Sequence, residues 1–78
     1  MKMLLQNSRN KRYFCLPGGW SEDPEAAFDF QHSRRALEFV RKQDLKEVHL
    51  VVKFEHPHWE QIVPMPVLVA TLSLPMAA

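Results

Sequence analysis

The longest regular alternation of apolar and polar positions lies between residues 33 and 54. Within residues 33–43 the apolar side chains recur at a spacing that places them on one face of a helix, with charged side chains opposite. The apolar positions are Ala36, Leu37 and Val40, with Phe39 at the margin. Ser33 suits the N-cap, because its hydroxyl can accept a backbone hydrogen bond, and Arg41 and Lys42 lie near the negative end of the dipole. This pattern predicts one main helix.

Residues 48–54 are β-branched and aromatic and predict a strand, with Leu50, Val52 and Phe54 turned toward the helix. Residues 2–6 and 11–16 predict a hairpin around an asparagine-containing turn. Antiparallel neighbours are the commoner pairing, so we expect strand 48–54 to lie beside strand 2–6. The fold class predicted is α+β, a small antiparallel sheet with the main helix packed on one face.

Residues 21–28 have the marks of a single helical turn. Asp23 can cap it and Pro24 fits the first helical position. Ala27 and Phe30 are expected to face inward, closing the sheet beneath Trp20. The turn is therefore predicted to act as a lid.

The chain carries no charge over residues 61–78. Within it, residues 67–74 alternate toward their end, which predicts a possible C-terminal strand, and such a strand at an open edge invites pairing with another chain. We therefore expect a homodimer or a protein partner, with pairing inside the monomer as an equal alternative. The interface residues predicted are Val67, Leu68, Val69, Leu72 and Leu74. Residues 1–63 form the predicted domain and residues 64–78 an apolar extension, which is too short and too rich in proline to span a membrane.

Composition narrows the function classes. A chain of 78 residues has room for one domain with a modest core, and a net charge of +1 gives no strong field for nucleic acid. Cys15 is the only cysteine, which excludes an intramolecular disulfide and favours a cytoplasmic location. The apolar run near the N-terminus is shorter than a signal-peptide core.

Catalytic and cofactor motifs are weak. Cys15 lies in an apolar strand without an evident base, and Gly18-Gly19 is a single bend rather than a phosphate-binding loop. We expect no enzyme, no cofactor and no small-molecule substrate. The one candidate metal set is His56, His58 and Glu60, whose side chains are ligand types for zinc, and we interpret it as a solvated loop because too few further ligands can be placed.

Nucleic-acid binding is the alternative function. Basic side chains beside aromatics can bind phosphates and stack on bases, and those available are Arg9, Lys11, Arg12, Arg34, Arg35, Arg41 and Lys42. Glu38 can pair with Arg34 or Lys42 on the same helix, so a solvated charged face is the preferred interpretation.

A resemblance covers residues 11–54. The hairpin followed by Trp20-Ser21-x-Asp23, Ala27, Phe30, Ser33 and Ala36, then a helix and a strand, resembles a pattern of small uncharacterised bacterial and phage proteins. The resemblance implies a structural role for these positions and carries no activity. Together these features predict an interaction module that acts by self-association or protein binding.

Overall fold

The computed structural model describes residues 1–55 and 59–73. In these residues five strands, β1 Lys2–Asn7, β2 Tyr13–Cys15, β3 Gly19–Ser21, β4 Val48–Phe54 and β5 Trp59–Pro64, form one antiparallel sheet in the order β3-β2-β1-β4-β5. Two helices, α1 Ser33–Gln43 and α2 Met65–Ser73, pack on it, and a 3-10 helix spans Pro24–Ala26. The predicted α+β class is confirmed.

The centre of the sheet is the predicted pairing of β1 with β4. Leu4 lies opposite Val51 and Leu5 opposite Leu50 in this register. Leu5, Leu50 and Val52 belong to the core on the helix side, whereas Leu4 and Val51 are buried on the other face. β5 continues the register by placing Ile62 opposite Val51. The middle of the central strands therefore carries buried apolar side chains on both faces, as the consecutive apolar residues Leu50, Val51 and Val52 of β4 require.

Helix α1 occupies the predicted residues and buries Ala36, Leu37 and Val40. It ends at Asp44, whose left-handed backbone lets its N–H reach the Arg41 and Val40 carbonyls. The N-cap is His32 rather than the predicted Ser33, because His32 holds the extended backbone of a cap while Ser33 is already helical. The His32 side chain makes no capping hydrogen bond within the described residues. The helix therefore begins without the side-chain cap expected from its sequence.

Helix α2 replaces the predicted C-terminal strand, and that prediction is wrong for residues 67–73. Leu68 is buried in the helix-side core, and Val69 and Leu72 are half-buried against it. Pro66 sits in the first turn of α2, where the missing N–H has no helical partner to lose. Residues 65–73 thus contact β4, β5 and α1. In the described part of the chain, no helix has the length and apolar character needed to cross a membrane.

The connection after β3 crosses the sheet. Residues 28–30 bridge β2 and β1, with the Phe28 N–H donating to Phe14 O at 2.9 Å and the Phe30 N–H to Met3 O at 2.8 Å. Ala27 contacts the buried cluster on the outer face, whereas Phe28 and Phe30 contact the cluster on the helix face. Ala27 and Phe30 therefore both pack inward as predicted, but on opposite faces of the sheet.

The outer face is covered by the 3-10 helix rather than by a long helix. Asp23 caps this helix as predicted, accepting from the Glu25 N–H at 2.9 Å. The Glu25 carboxylate lies 3.9 Å from Lys2 Nζ and 3.7 Å from Lys53 Nζ, so it joins β1 and β4 from above. Ala27, which follows the 3-10 helix, packs against the buried cluster of Leu4, Tyr13 and Val51 on this face.

Candidate interaction surface

Strand β5 is one edge of the sheet. It is six residues long, and in the described part of the chain no strand lies on its outer side. Trp59 and Ile62 are each about half exposed, and Glu60 is the only charged residue of the strand. Natural edge strands are usually short or carry charges, lysine above all, that discourage pairing with other chains. β5 carries one charge, Glu60, and ends in Pro64, which has no N–H to donate, while residues 59–63 keep theirs.

Strand β3 forms the opposite edge and is much less able to pair. It has only three residues, and Pro17 and Pro24 lie close on either side of it. Trp20 of this strand is turned onto the Phe14 ring, with centroids 5.7 Å apart. Because a short edge offers few backbone groups to a partner, β5 is the long edge available in the described part of the sheet.

Helix α2 lies over β4 and β5 and continues the apolar character of this edge. Its inward side carries Leu68, while Pro66, Val67, Ala70 and Thr71 are exposed. We call the exposed residues Trp59, Ile62, Val67 and Ala70 the β5–α2 surface; Trp59 and α2 lie on the helix side of the β5 edge, whereas Ile62 lies on the outer face opposite Val51. The sequence of α2 contains no charged residue, and Glu60 is the one charged residue of β5.

The predicted interface residues lie in different environments in the structure. Val67 is exposed, Leu68 is buried in the core, and Val69 and Leu72 are half-buried against it. Leu74 lies outside the described residues. Most of the predicted set therefore stabilises the monomer, and Trp59 and Ile62, which the sequence did not single out, carry much of the exposed apolar surface.

A buried polar pair lies on the outer face beside β1 and β4. His49 Nε2 and Gln6 Oε1 are 2.6 Å apart, and the Gln6 amide nitrogen donates to Lys11 O at 3.1 Å. Since Gln6 Oε1 can only accept, His49 Nε2 carries the proton in this arrangement. Burial lowers the pKa of His49, and the Lys11 ammonium lowers it further. The imidazole of His49 is thus held neutral by a hydrogen bond to Gln6 within the protein, and we interpret the role of this pair as structural.

Tyr13 completes the apolar centre of the same face, where it packs with Leu4 and Val51. Burial raises the pKa of Tyr13, and the nearby Glu60 carboxylate raises it further. Both effects favour the neutral phenol. Tyr13 therefore acts here as an apolar cover rather than as an ionised group.

The predicted metal set is only partly visible. His56 and His58 lie outside the described residues, and Glu60 lies opposite Lys53 in the β4–β5 register. Among the residues that the structure describes, no group of three His, Cys, Asp or Glu side chains is close enough to hold a metal ion. The two remaining histidines of the chain lie elsewhere, His32 at the start of α1 and His49 in β4 beside Gln6.

The predicted basic residues lie on three short segments. Arg34 and Arg35 lie at the start of α1, and Arg41 and Lys42 lie seven residues further on at its end, about 10 Å along the helix. The remaining members, Arg9, Lys11 and Arg12, occupy the turn between β1 and β2.

Acidic neighbours reduce the field of that turn. Arg9 lies 3.3 Å from a Glu47 carboxylate oxygen, and Arg12 lies 3.7 Å from Glu22. These pairs are exposed, so they contribute little to stability, but they offset the positive charge available to a phosphate. The positive charge of the turn is therefore partly offset by Glu47 and Glu22.

Protein-family models, curated proteins and solved structures contain no match to this chain. The resemblance of residues 11–54 to small bacterial and phage proteins accordingly stays a prediction.

Proposed function

We propose that this protein is a non-catalytic interaction module that works by self-association through the β5–α2 surface. The observation that carries the proposal is β5 itself, a six-residue edge strand with half-exposed Trp59 and Ile62 and no basic residue. The outward N–H and C=O groups of such a strand form a ready template for another strand. Pairing would satisfy them and bury both side chains.

Helix α2 supports the same surface from a second layer. A helix that is apolar on every side is ordinarily buried on every side, yet α2 leaves Val67 and Ala70 exposed. A partner at the β5 edge would lie next to these residues. In a chain of 78 residues, whose own core supplies only a few kcal/mol, the added burial is a large gain.

The polar groups of the outer face support a role without catalysis. His49 and Gln6 are hydrogen-bonded to each other, and Gln6 also donates to the Lys11 carbonyl. Burial and the Glu60 carboxylate raise the pKa of Tyr13, which favours its neutral phenol. A cytoplasmic location is part of the proposal. It is supported by the single cysteine, Cys15, which is a free thiol half-buried in β2.

Light scattering coupled to gel filtration tests the proposal. At a few micromolar and at several hundred micromolar protein, we expect the mass to rise toward twice the 9.1 kDa of one chain. The variant Ile62→Lys places an ammonium on the open edge and is expected to stay monomeric at both concentrations.

The matched control is Leu16→Lys, which introduces the same charge at an exposed apolar residue next to the other side of the sheet. This control should associate like the unsubstituted chain. A monomeric mass for the unsubstituted chain at the high concentration, or equal loss in both variants, would contradict the proposal.

A further inference from the structure

An apolar row on the outer face of the sheet ends abruptly at the β5 edge. Leu4, Val51 and Ile62 lie directly opposite one another on β1, β4 and β5. Leu4 and Val51 are 0% and 1% exposed, whereas Ile62 at the end of the row is 53% exposed. Val51 has an apolar neighbour on each side and Leu4 also packs with Tyr13, whereas Ile62 lacks a neighbour on its outer side in the described part of the sheet.

We propose that a second copy of this chain supplies that neighbour, by antiparallel pairing of β5 with β5 about a two-fold axis at Ile62. This inference rests on the proposed self-association and specifies its geometry. The two Ile62 side chains then lie opposite each other, and the apolar row runs through six strands. The two five-stranded sheets become one sheet of ten strands.

Strand geometry leaves few other registers. Directly opposite residues of an antiparallel pair point to the same face, so a symmetric pairing that keeps the helices of both copies on one side must be centred on a residue. The two residues nearest the middle of β5 are Gln61 and Ile62. The choice between these two axes determines which residue of the second copy lies opposite Glu60.

Charge favours Ile62. With the axis at Ile62, Glu60 lies opposite Pro64 of the second copy in the outermost pair of the strands, where solvent still reaches the carboxylate and where the missing N–H of Pro64 costs one hydrogen bond at the end of the ladder. With the axis at Gln61, Glu60 lies beside the axis, opposite Ile62 of the second copy, and its carboxylate is desolvated against an apolar side chain, which is costly. The register centred on Ile62 also keeps the two Glu60 carboxylates apart.

The sheet also determines where assembly stops. The two-fold axis uses the long β5 edge of both copies, so the ends of the joined sheet are the two short β3 strands. An isologous contact of this kind is closed, whereas a contact between two different edges would continue into a fibre. The expected species is a dimer with an α2 helix from each copy on the same side of the sheet.

Cysteine cross-linking tests the register. In a Cys15→Ser background, Ile62→Cys would place two thiols on directly opposite residues, whose Cα atoms are about 4.5–5.5 Å apart, within disulfide range. The matched control Gln61→Cys lies one position away on the same strand. Its two Cα atoms would be about 8 Å apart, offset by two residues, which is too far for a disulfide.

The readout is the fraction of covalent dimer after mild oxidation, on a non-reducing gel, with light scattering of the reduced proteins alongside. We expect at least tenfold more cross-linking for Ile62→Cys than for Gln61→Cys. Equal cross-linking of both, a preference for Gln61→Cys, or no cross-linking would overturn the register. If the reduced proteins still have the dimer mass in those cases, self-association stands and only the register fails, whereas a monomeric mass for the unsubstituted chain removes both.

Discussion

Truncating Leu68 to alanine tests whether α2 is part of the folded core. Leu68 is 4% exposed and lies in the cluster shared by α1, β4 and the start of α2. Leucine-to-alanine changes in cores cost about 2–5 kcal/mol, and the cost falls where the surroundings can close the cavity. Leu68 lies on α2, a helix of nine residues, and a movement of this short helix toward the sheet would close part of the cavity, so we expect a loss near the lower end, about 2–3 kcal/mol.

The measurement is urea unfolding followed by circular dichroism, at a protein concentration where light scattering shows a single mass. A matched control is Leu16→Ala, the same chemical change at a residue that is 64% exposed, where we expect a change below about 0.5 kcal/mol. In a domain of this length, about 2 kcal/mol also lowers the melting temperature by roughly 8–16 °C. Equal and small effects in the two variants would refute the packing of α2 on the sheet.

Two further predictions concern histidines. The pKa of His49 is lowered in the folded protein, so as the pH falls below about 6.5 the unfolded chain binds this proton before the folded protein does. We therefore expect the free energy of unfolding to decrease as the pH is lowered below about 6.5. In urea unfolding at several pH values, His49→Gln should lose the part of this pH dependence that His49 causes. Parallel pH profiles for the two proteins would contradict the buried neutral imidazole. His32→Asp should stabilise the protein by about 1 kcal/mol in the same assay, because aspartate can cap the N-terminus of α1 and offset Arg34 and Arg35 there. His32→Ala, which cannot cap, is the control, and an equal gain in both variants would speak against the cap.

The helix and strand predictions were correct where the apolar residues follow a single spacing, either that of a helix or that of a strand. Residues 33–43 match only the helical spacing, and Asp44 tolerates the left-handed conformation that ends the helix. Residues 48–54 are β-branched over a length typical of a strand, and the choice of antiparallel neighbours placed them correctly beside β1. These segments agree with the fold at every level, from local propensity to packing.

Helix α2 was not predicted because its pattern fits two periods at once. Leu68 and Leu72 are four positions apart, which places them on the same side of both a helix and a strand. The signal that distinguishes the two is Pro66, which is favourable in the first turn of a helix. The short strand β3 was also missed, since three residues that begin with a glycine carry no detectable alternation.

The sequence indicated that an apolar contact surface exists, but it did not indicate which residues form that surface. A chargeless C-terminal run does indicate an apolar contact, but which strand becomes the edge depends on strand order, and this order follows from long-range pairing. Ile62 gains its significance from lying opposite Val51, a residue eleven positions earlier. No local pattern around Ile62 contains that information.

The crossing of the sheet between Ala27 and Phe28 bears on how the protein unfolds. Ala27 contacts the packed cluster of the outer face and Phe28 that of the helix face. The Phe28 N–H donates to Phe14 O of β2, and the Phe30 N–H, two residues further on, donates to Met3 O of β1. Disturbing the packing of either face therefore disturbs the backbone that anchors the other. We therefore expect the two clusters to unfold together, as one cooperative unit.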